Sequence, residues 1–143
     1  MVGKNNMDSN VKKILFIPLA LLFFSCEDKL EQLKYRLHTW ENVLETITAD
    51  NKRVIVRSQV QWKVSDVRQF YRTGLDIYGV QSILDDLFDE SIRDVISRQH
   101  FDKGIENFDV ERAVQKNVIN KLDQNFLGIH ISKFTAYSIL EVK

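Results

Sequence analysis

Residues 52–66, KRVIVRSQVQWKVSD, limit what this chain can fold into more than any other stretch. Val54, Val56, Val60, Trp62 and Val64 fall on one side of a period-two pattern interrupted by Ser58, and Ile55, Arg57, Gln59, Gln61 and Lys63 fall on the other. Successive side chains of a strand point to opposite faces, so the spacing predicts a long β-strand with one buried and one mostly solvated face. Asp50-Asn51 before it is turn chemistry, because both side chains bond the local backbone and Asn tolerates positive φ. Ser65-Asp66 after it supplies side-chain oxygens for the free N–H groups of a helix starting at Val67. A hairpin leads in and a helix leads out.

The flanking segments extend this frame. Leu33, Tyr35 and Leu37 alternate with Lys34, Arg36 and His38 up to Trp40, which reads as a strand. Residues 43–48 are β-prone as well, and the Asp50-Asn51 turn folds them back antiparallel. Downstream, Val67, Phe70 and Tyr71 share one side of a short helix that Gly74 ends. Val80, Ile83, Leu84, Leu87, Phe88, Ile92, Val95 and Ile96 recur at three and four residues, the mark of a long amphipathic helix. Its outer face is assigned Asp85, Asp86, Asp89, Glu90, Asp94 and Arg98. Residues 101–108 connect to a helix capped by Asp109, with Ala113, Val114, Val118, Leu122 and Phe126 inward and Gly128 closing it. Residues 129–142 have the β-branched and aromatic content of a last strand. The order predicts an α+β domain, with two or three helices covering one face of a small, mostly antiparallel sheet.

Residues 1–26 differ from the rest. Lys12 and Lys13 precede an apolar run over residues 14–24, followed by Ser25-Cys26. A bilayer core takes about 20 apolar residues of helix, so the run reads as a signal peptide or a short signal anchor. Ser25-Cys26 adds a lipoprotein reading with Cys26 as the lipidation site. In both readings residues 27–143 form one domain held at the outer, periplasmic side of a bacterial cytoplasmic membrane.

Composition removes several classes of function. Lys plus Arg and Asp plus Glu number 20 each, so no basic surplus exists for a phosphate backbone and no nucleic-acid partner is expected. A lone cysteine makes no internal disulfide. His38, His100 and His130 lie apart without metal-ligand spacing, and no Gly-rich phosphate loop, G-x-S-x-G or H-E-x-x-H occurs. The acidic residues 85–90 read as a solvated helix face rather than an acid–base pair, and Trp62 reads as core. Arg93, at the edge of the packed face, is either a structural ion pair or a contact to a neighbouring subunit. Neither catalysis nor a cofactor is expected.

Several of these segments, in order, resemble a known family. VIVRSQVQWKVSDVRQFY, the helix containing SIRDVISR, and LDQNFLGIHISKF, preceded by YRLHTWENVLETITADNK, are similar to the SPFH domain, also called Band 7. This is the group of stomatin, prohibitin, flotillin and the HflK/HflC proteins, and the details here are most like its HflC branch. Trp62 with Asp66, Arg93 and the Leu127-Gly128-Ile129 junction carry the likeness, which covers residues 29–139. It implies a membrane-bound interaction module, a homo- or hetero-oligomer, with an HflK-like SPFH protein and the FtsH membrane protease as partners. Arg93, Phe134 and Tyr137 are then candidate interface residues. Compared with the family, the chain reads as shortened at both ends. A partner-binding lipoprotein unrelated to the protease and a non-functional remnant are the alternatives. Shortening is also expected to leave residues 129–142 as an uncovered, self-associating sheet edge.

Overall fold

In a computed structural model, the structure describes residues 32–34, 36–125 and 127–143. The expected targeting segment, Cys26, Tyr35 and Phe126 lie outside the described residues.

The alternating stretch is β2 (Arg53–Val64), and Val54, Val56, Val60, Trp62 and Val64 along its inner face are fully buried. Strand β1 (His38–Ile47) pairs with it antiparallel without a break in register, from His38 opposite Trp62 to Ile47 opposite Arg53. The hairpin between them turns on Asn51 at φ 60, the left-handed conformation that Asn adopts at low cost. Strand β3 (Ile129–Glu141) pairs with the other side of β2, giving the order β1-β2-β3. Both pairings are antiparallel, as the sequence predicts.

One expected strand is absent. Residues 32–34 form a helical turn, and a single strand from His38 replaces the two read over residues 33–40 and 43–48. The cause lies at the far end of β2: the N–H groups of Ser65 and Asp66 both donate to the Gly128 carbonyl, at 2.9 and 3.0 Å. β2 ends two residues beyond Trp62, the partner of His38, and the chain turns there into helix α1 (Val67–Arg72), so no β2 residue stands opposite those before Arg36. Along β1, Leu44, Thr46 and Thr48 are buried, and Asn42 on the same side donates to Asp89 at 2.8 Å. These polar inward residues hid the period in the sequence.

Asp66 caps α1 by accepting from Gln69 N–H, and Gly74 follows the helix at φ +69. Helix α2 (Ile77–Ile96) is capped by Asp76 and buries Val80, Leu84, Phe88, Ile92 and Ile96. Helix α3 (Asn107–Asn125) starts before Asp109, which is therefore in the first turn rather than the cap. The Asp109 N–H donates to Glu106, and its carboxylate pairs with Arg112 at 2.9 Å. Val110, Val114, Val118 and Leu122 face inward. Between α2 and α3, residues Phe101–Lys103 make one turn of 3-10 helix.

The core is a single layer between the sheet and helices α2 and α3. Phe88 stacks on Phe134 with ring centroids 5.1 Å apart, and Trp40 meets Phe88 edge-on at 6.1 Å. Fully burying an aromatic or aliphatic side chain stabilises by about 1.5–3 kcal/mol, so this layer dominates the folding energy. The other face of the sheet carries no helix among the described residues.

Candidate interaction surface

Both outer strands expose backbone edges, and the helices treat the two edges differently. On β3, register shifts against β2 occur between Arg57 and Ser58 and between Gln61 and Trp62. Each is a bulge that bends an edge away from regular pairing. Between them, Glu111 of α3 accepts the outward N–H of Ala136 at 2.8 Å. The edge expected to be bare is thus kinked twice and capped by a carboxylate.

Beside β1 the cover is thinner. Arg93 of α2 reaches the Glu45 carbonyl with Nη1 at 3.5 Å, and Ala49 N–H donates to Gln99 at 2.8 Å. Arg93 lines an open cleft of about 540 Å³ with Ile47, Arg53, Asp94 and Ser97, where Arg53 also pairs with Glu45. The hairpin tip is fastened separately by Asp50. Its carboxylate accepts from Thr48 Oγ1 at 2.5 Å and from the N–H groups of Phe101 and Asp102 at 3.0 Å each. Those donors, Asp102 N–H foremost, hold the carboxyl well below the usual carboxylate range. Lys52 pairs with Glu141 at 3.2 Å and is raised by it.

The three candidate interface residues do not come together. Arg93 is exposed on the β1 side, whereas Phe134 and Tyr137 are on β3. Phe134 is 1% exposed and belongs to the core through Phe88, so it offers no ring to a partner. Tyr137 is the extra residue of the bulge opposite Arg57 and Ser58 and is 48% exposed. The histidines are dispersed: His38 stacks on Trp62 at 4.6 Å, His100 precedes the 3-10 turn and His130 is exposed on β3. Burial, then the Arg36 charge, lowers the pKa of His38. Among the described residues, no group of three His, Cys, Asp or Glu side chains is arranged to hold a metal ion.

Two features escape a sequence reading. The acidic face of α2 is not wholly solvated, since Asp85 and Asp89 are half-buried against β1. Burial pushes the pKa of Asp85 up. The Trp40 indole N–H offsets part of this without reaching the geometry of a formed hydrogen bond, and Asp89 and Asp86 add to the rise. The open sheet face carries Val43, Ile47 and Leu140 at 61%, 51% and 58% exposure, with half-buried Ile55 opposite Leu140. Ile55 and Leu140 form an apolar cross-strand pair, while Val43 and Ile47 flank Glu45 and stand opposite Arg57 and Arg53, so the open face mixes exposed apolar side chains with charged ones. Of these residues the alternating pattern places only Ile55 outward, and it assigns no face to Val43, Ile47 or Leu140.

No helix among the described residues is long and apolar enough to cross a membrane. The SPFH domain / Band 7 family matches residues 15–139. Two curated proteins, each named Protein HflC, are similar. That of Buchnera aphidicola subsp. Acyrthosiphon pisum is 24% identical over 90% of this chain and 47% of its own length. That of Buchnera aphidicola subsp. Schizaphis graminum is 21% identical over 99% of this chain and 49% of its own. The chain spans about half the length of the curated relatives it matches.

Proposed function

This chain belongs to the SPFH domain / Band 7 family, and from that membership we propose that it is a membrane-held interaction module of HflC type, working by binding proteins rather than by catalysis. The observation that carries the reading is one continuous family match running from inside the apolar segment through the last strand. The partners are an HflK-like SPFH protein and, through it, the FtsH membrane protease. Lys12 and Lys13 ahead of the apolar segment support a domain on the outer side of the cytoplasmic membrane. The exposed apolar side chains of Val43, Ile47 and Leu140 on the open sheet face support a binding role, because a partner covering them would remove apolar surface from water. The test is affinity purification of the full chain from membranes in mild detergent. Recovery of an SPFH protein together with the protease is expected, and recovery of neither overturns the partner assignment.

Ser25-Cys26 favours a second reading, an envelope lipoprotein with a protein-binding role apart from the protease. Metabolic labelling with a fatty acid separates the two. Label that disappears in Cys26→Ala supports the lipoprotein, and absence of label in the unmodified chain removes it.

A further inference from the structure

Among the described residues, strand β1 presents an edge that is open from Thr39 to Val43, ahead of the Arg93 contact at Glu45. Thr48 N–H donates to Lys52 across the hairpin at 3.0 Å, so Thr48 and the even-numbered residues before it bond to β2. Their odd-numbered neighbours must turn N–H and C=O away from β2. The two outward bonds already described, from Ala49 N–H to Gln99 and from Arg93 to the Glu45 carbonyl, confirm that parity. Thr39, Glu41 and Val43 therefore direct their backbone groups outward, and no bond from these groups occurs among the described residues. The register of β1 is unbroken, unlike that of β3 with its two bulges and its Glu111 cap. An edge that is long, regular and uncapped is a template for one more strand.

Charge selects the occupant. Glu41 stands exposed on the edge itself, and Asp85 and Asp89 of α2 lie beside its helix-side residues Trp40 and Asn42. Of the nearby cations, Arg93 is on the Glu45 carbonyl, Arg53 pairs with Glu45 and Arg57 lies one strand further in, opposite Val43. Arg36 precedes the strand and acts on its first residue, His38, which leaves the stretch around Glu41 acidic. A second copy adding its own β1 antiparallel about Glu41 would set Glu41 against Glu41, a repulsive pairing.

We infer that the edge formed by Thr39, Glu41 and Val43 accepts an extended, lysine- or arginine-bearing segment of a partner protein as a fourth strand, its cations meeting Glu41, Asp85 and Asp89. The inference rests on reading the domain as a protein-binding module, and it adds the mode of binding and the chemistry of the bound segment. Main-chain bonds supply affinity, and the acidic rim chooses among extended peptides.

The probe is a fluorescein-labelled peptide, Lys-Lys-Thr-Val-Thr-Lys-Lys, which as a strand carries lysines on both faces, titrated against the full chain in mild non-ionic detergent and followed by anisotropy. Controls are the same peptide with Glu for every Lys, and the basic peptide with Pro at its central Val. Saturable binding of the basic peptide is expected, at least roughly tenfold tighter than either control, the equivalent of one lost charged or backbone contact. Glu41→Lys, on an exposed side chain, is expected to weaken it by about the same factor. Val43→Pro removes an outward N–H and is expected to abolish binding. Far-UV circular dichroism checks that this variant keeps its strands, and Glu41→Lys decides the matter if it does not. Equal binding of all three peptides, or no effect of Glu41→Lys, overturns the inference. A chain that elutes as a dimer, becomes monomeric in Glu41→Lys and binds no peptide shows a second copy on the edge and overturns the basic-segment assignment. Recovery of the SPFH partner by a full chain that binds none of the peptides overturns the inference and leaves the proposed function intact, so the two readings fail separately.

Discussion

Gly128 and Gly74 share φ +69, yet alanine at the two sites should have unequal consequences. An alanine Cβ at Gly74 meets nothing within 4 Å, so that variant incurs only the left-handed conformation. The penalty is about 1–2 kcal/mol, offset by up to about 1 kcal/mol because alanine narrows the unfolded ensemble. At Gly128 the new Cβ would stand 2.6 Å from the Asp66 carbonyl oxygen and 2.7 Å from Phe70 N, both backbone atoms that cannot swing aside. The α1–β3 junction must open, and with it go the bonds from Ser65 and Asp66 N–H to the Gly128 carbonyl. Two such bonds contribute about 1–3 kcal/mol together, so Gly128→Ala should destabilise by about 2–4 kcal/mol in all. In urea titrations followed by circular dichroism, with a slope of about 1–3 kcal/mol per molar, its midpoint should fall well below that of Gly74→Ala. Indistinguishable midpoints for the two variants would refute the view that close approach, rather than backbone conformation alone, fixes this glycine.

Three further outcomes follow from the same geometry. Asp50→Asn weakens the acceptor that ties the hairpin tip to the 3-10 turn, and should lower the urea midpoint at pH 7. The folded pKa of Asp50 is depressed, so its contribution is complete above the unfolded value of about 4 and is lost only as pH falls through the folded value. Parallel titrations at pH 7, 5 and 3 should show the gap steady from 7 to 5 and narrowing below 4. Asp85 behaves oppositely: its folded pKa is raised, so the ionised form opposes folding as pH climbs past about 4. Asp85→Asn should then be more stable than the parent at pH 7 and no more stable at pH 3, and a penalty at pH 7 would mean that the carboxylate has a partner there. Ser58 is fully buried with its hydroxyl unpartnered among the described residues, so Ser58→Ala should leave stability unchanged or raise it by up to about 1 kcal/mol in the same titration.

The inner face of β2, the long helix and the turn at Asn51 were legible because local chemistry and tertiary need agree there. Five apolar side chains at period two admit one buried face, and apolar residues three and four apart admit one helix stripe. β1 was misread because its inward side holds Asn42, Thr46 and Thr48, whose burial makes sense only with Asp89 and the hairpin beside them. Helix α3 begins earlier than Asp109 suggests because the Glu106 carbonyl, invisible to side-chain reasoning, takes the first bonds. The candidate site was less legible. Phe134 carries an aromatic on an edge strand, which reads as interface until Phe88 is placed against it. The Glu111 contact, which takes one outward N–H of β3 from the helix just before it, and the two bulges leave no local signal in the alternation of residues 129–142.

The claim at the centre of this account is that the domain works by holding other proteins against its uncovered sheet. Photo-crosslinking in living cells tests it most directly, with a benzophenone amino acid placed singly at Val43, Ile47 or Leu140 on the open face and at Tyr78, 80% exposed on α2, as the control. The expected result is a discrete protein adduct from the sheet positions, absent at Tyr78, in which mass spectrometry identifies another SPFH protein. Folded, membrane-bound chain that gives no protein adduct from any of the three sheet positions would contradict the account.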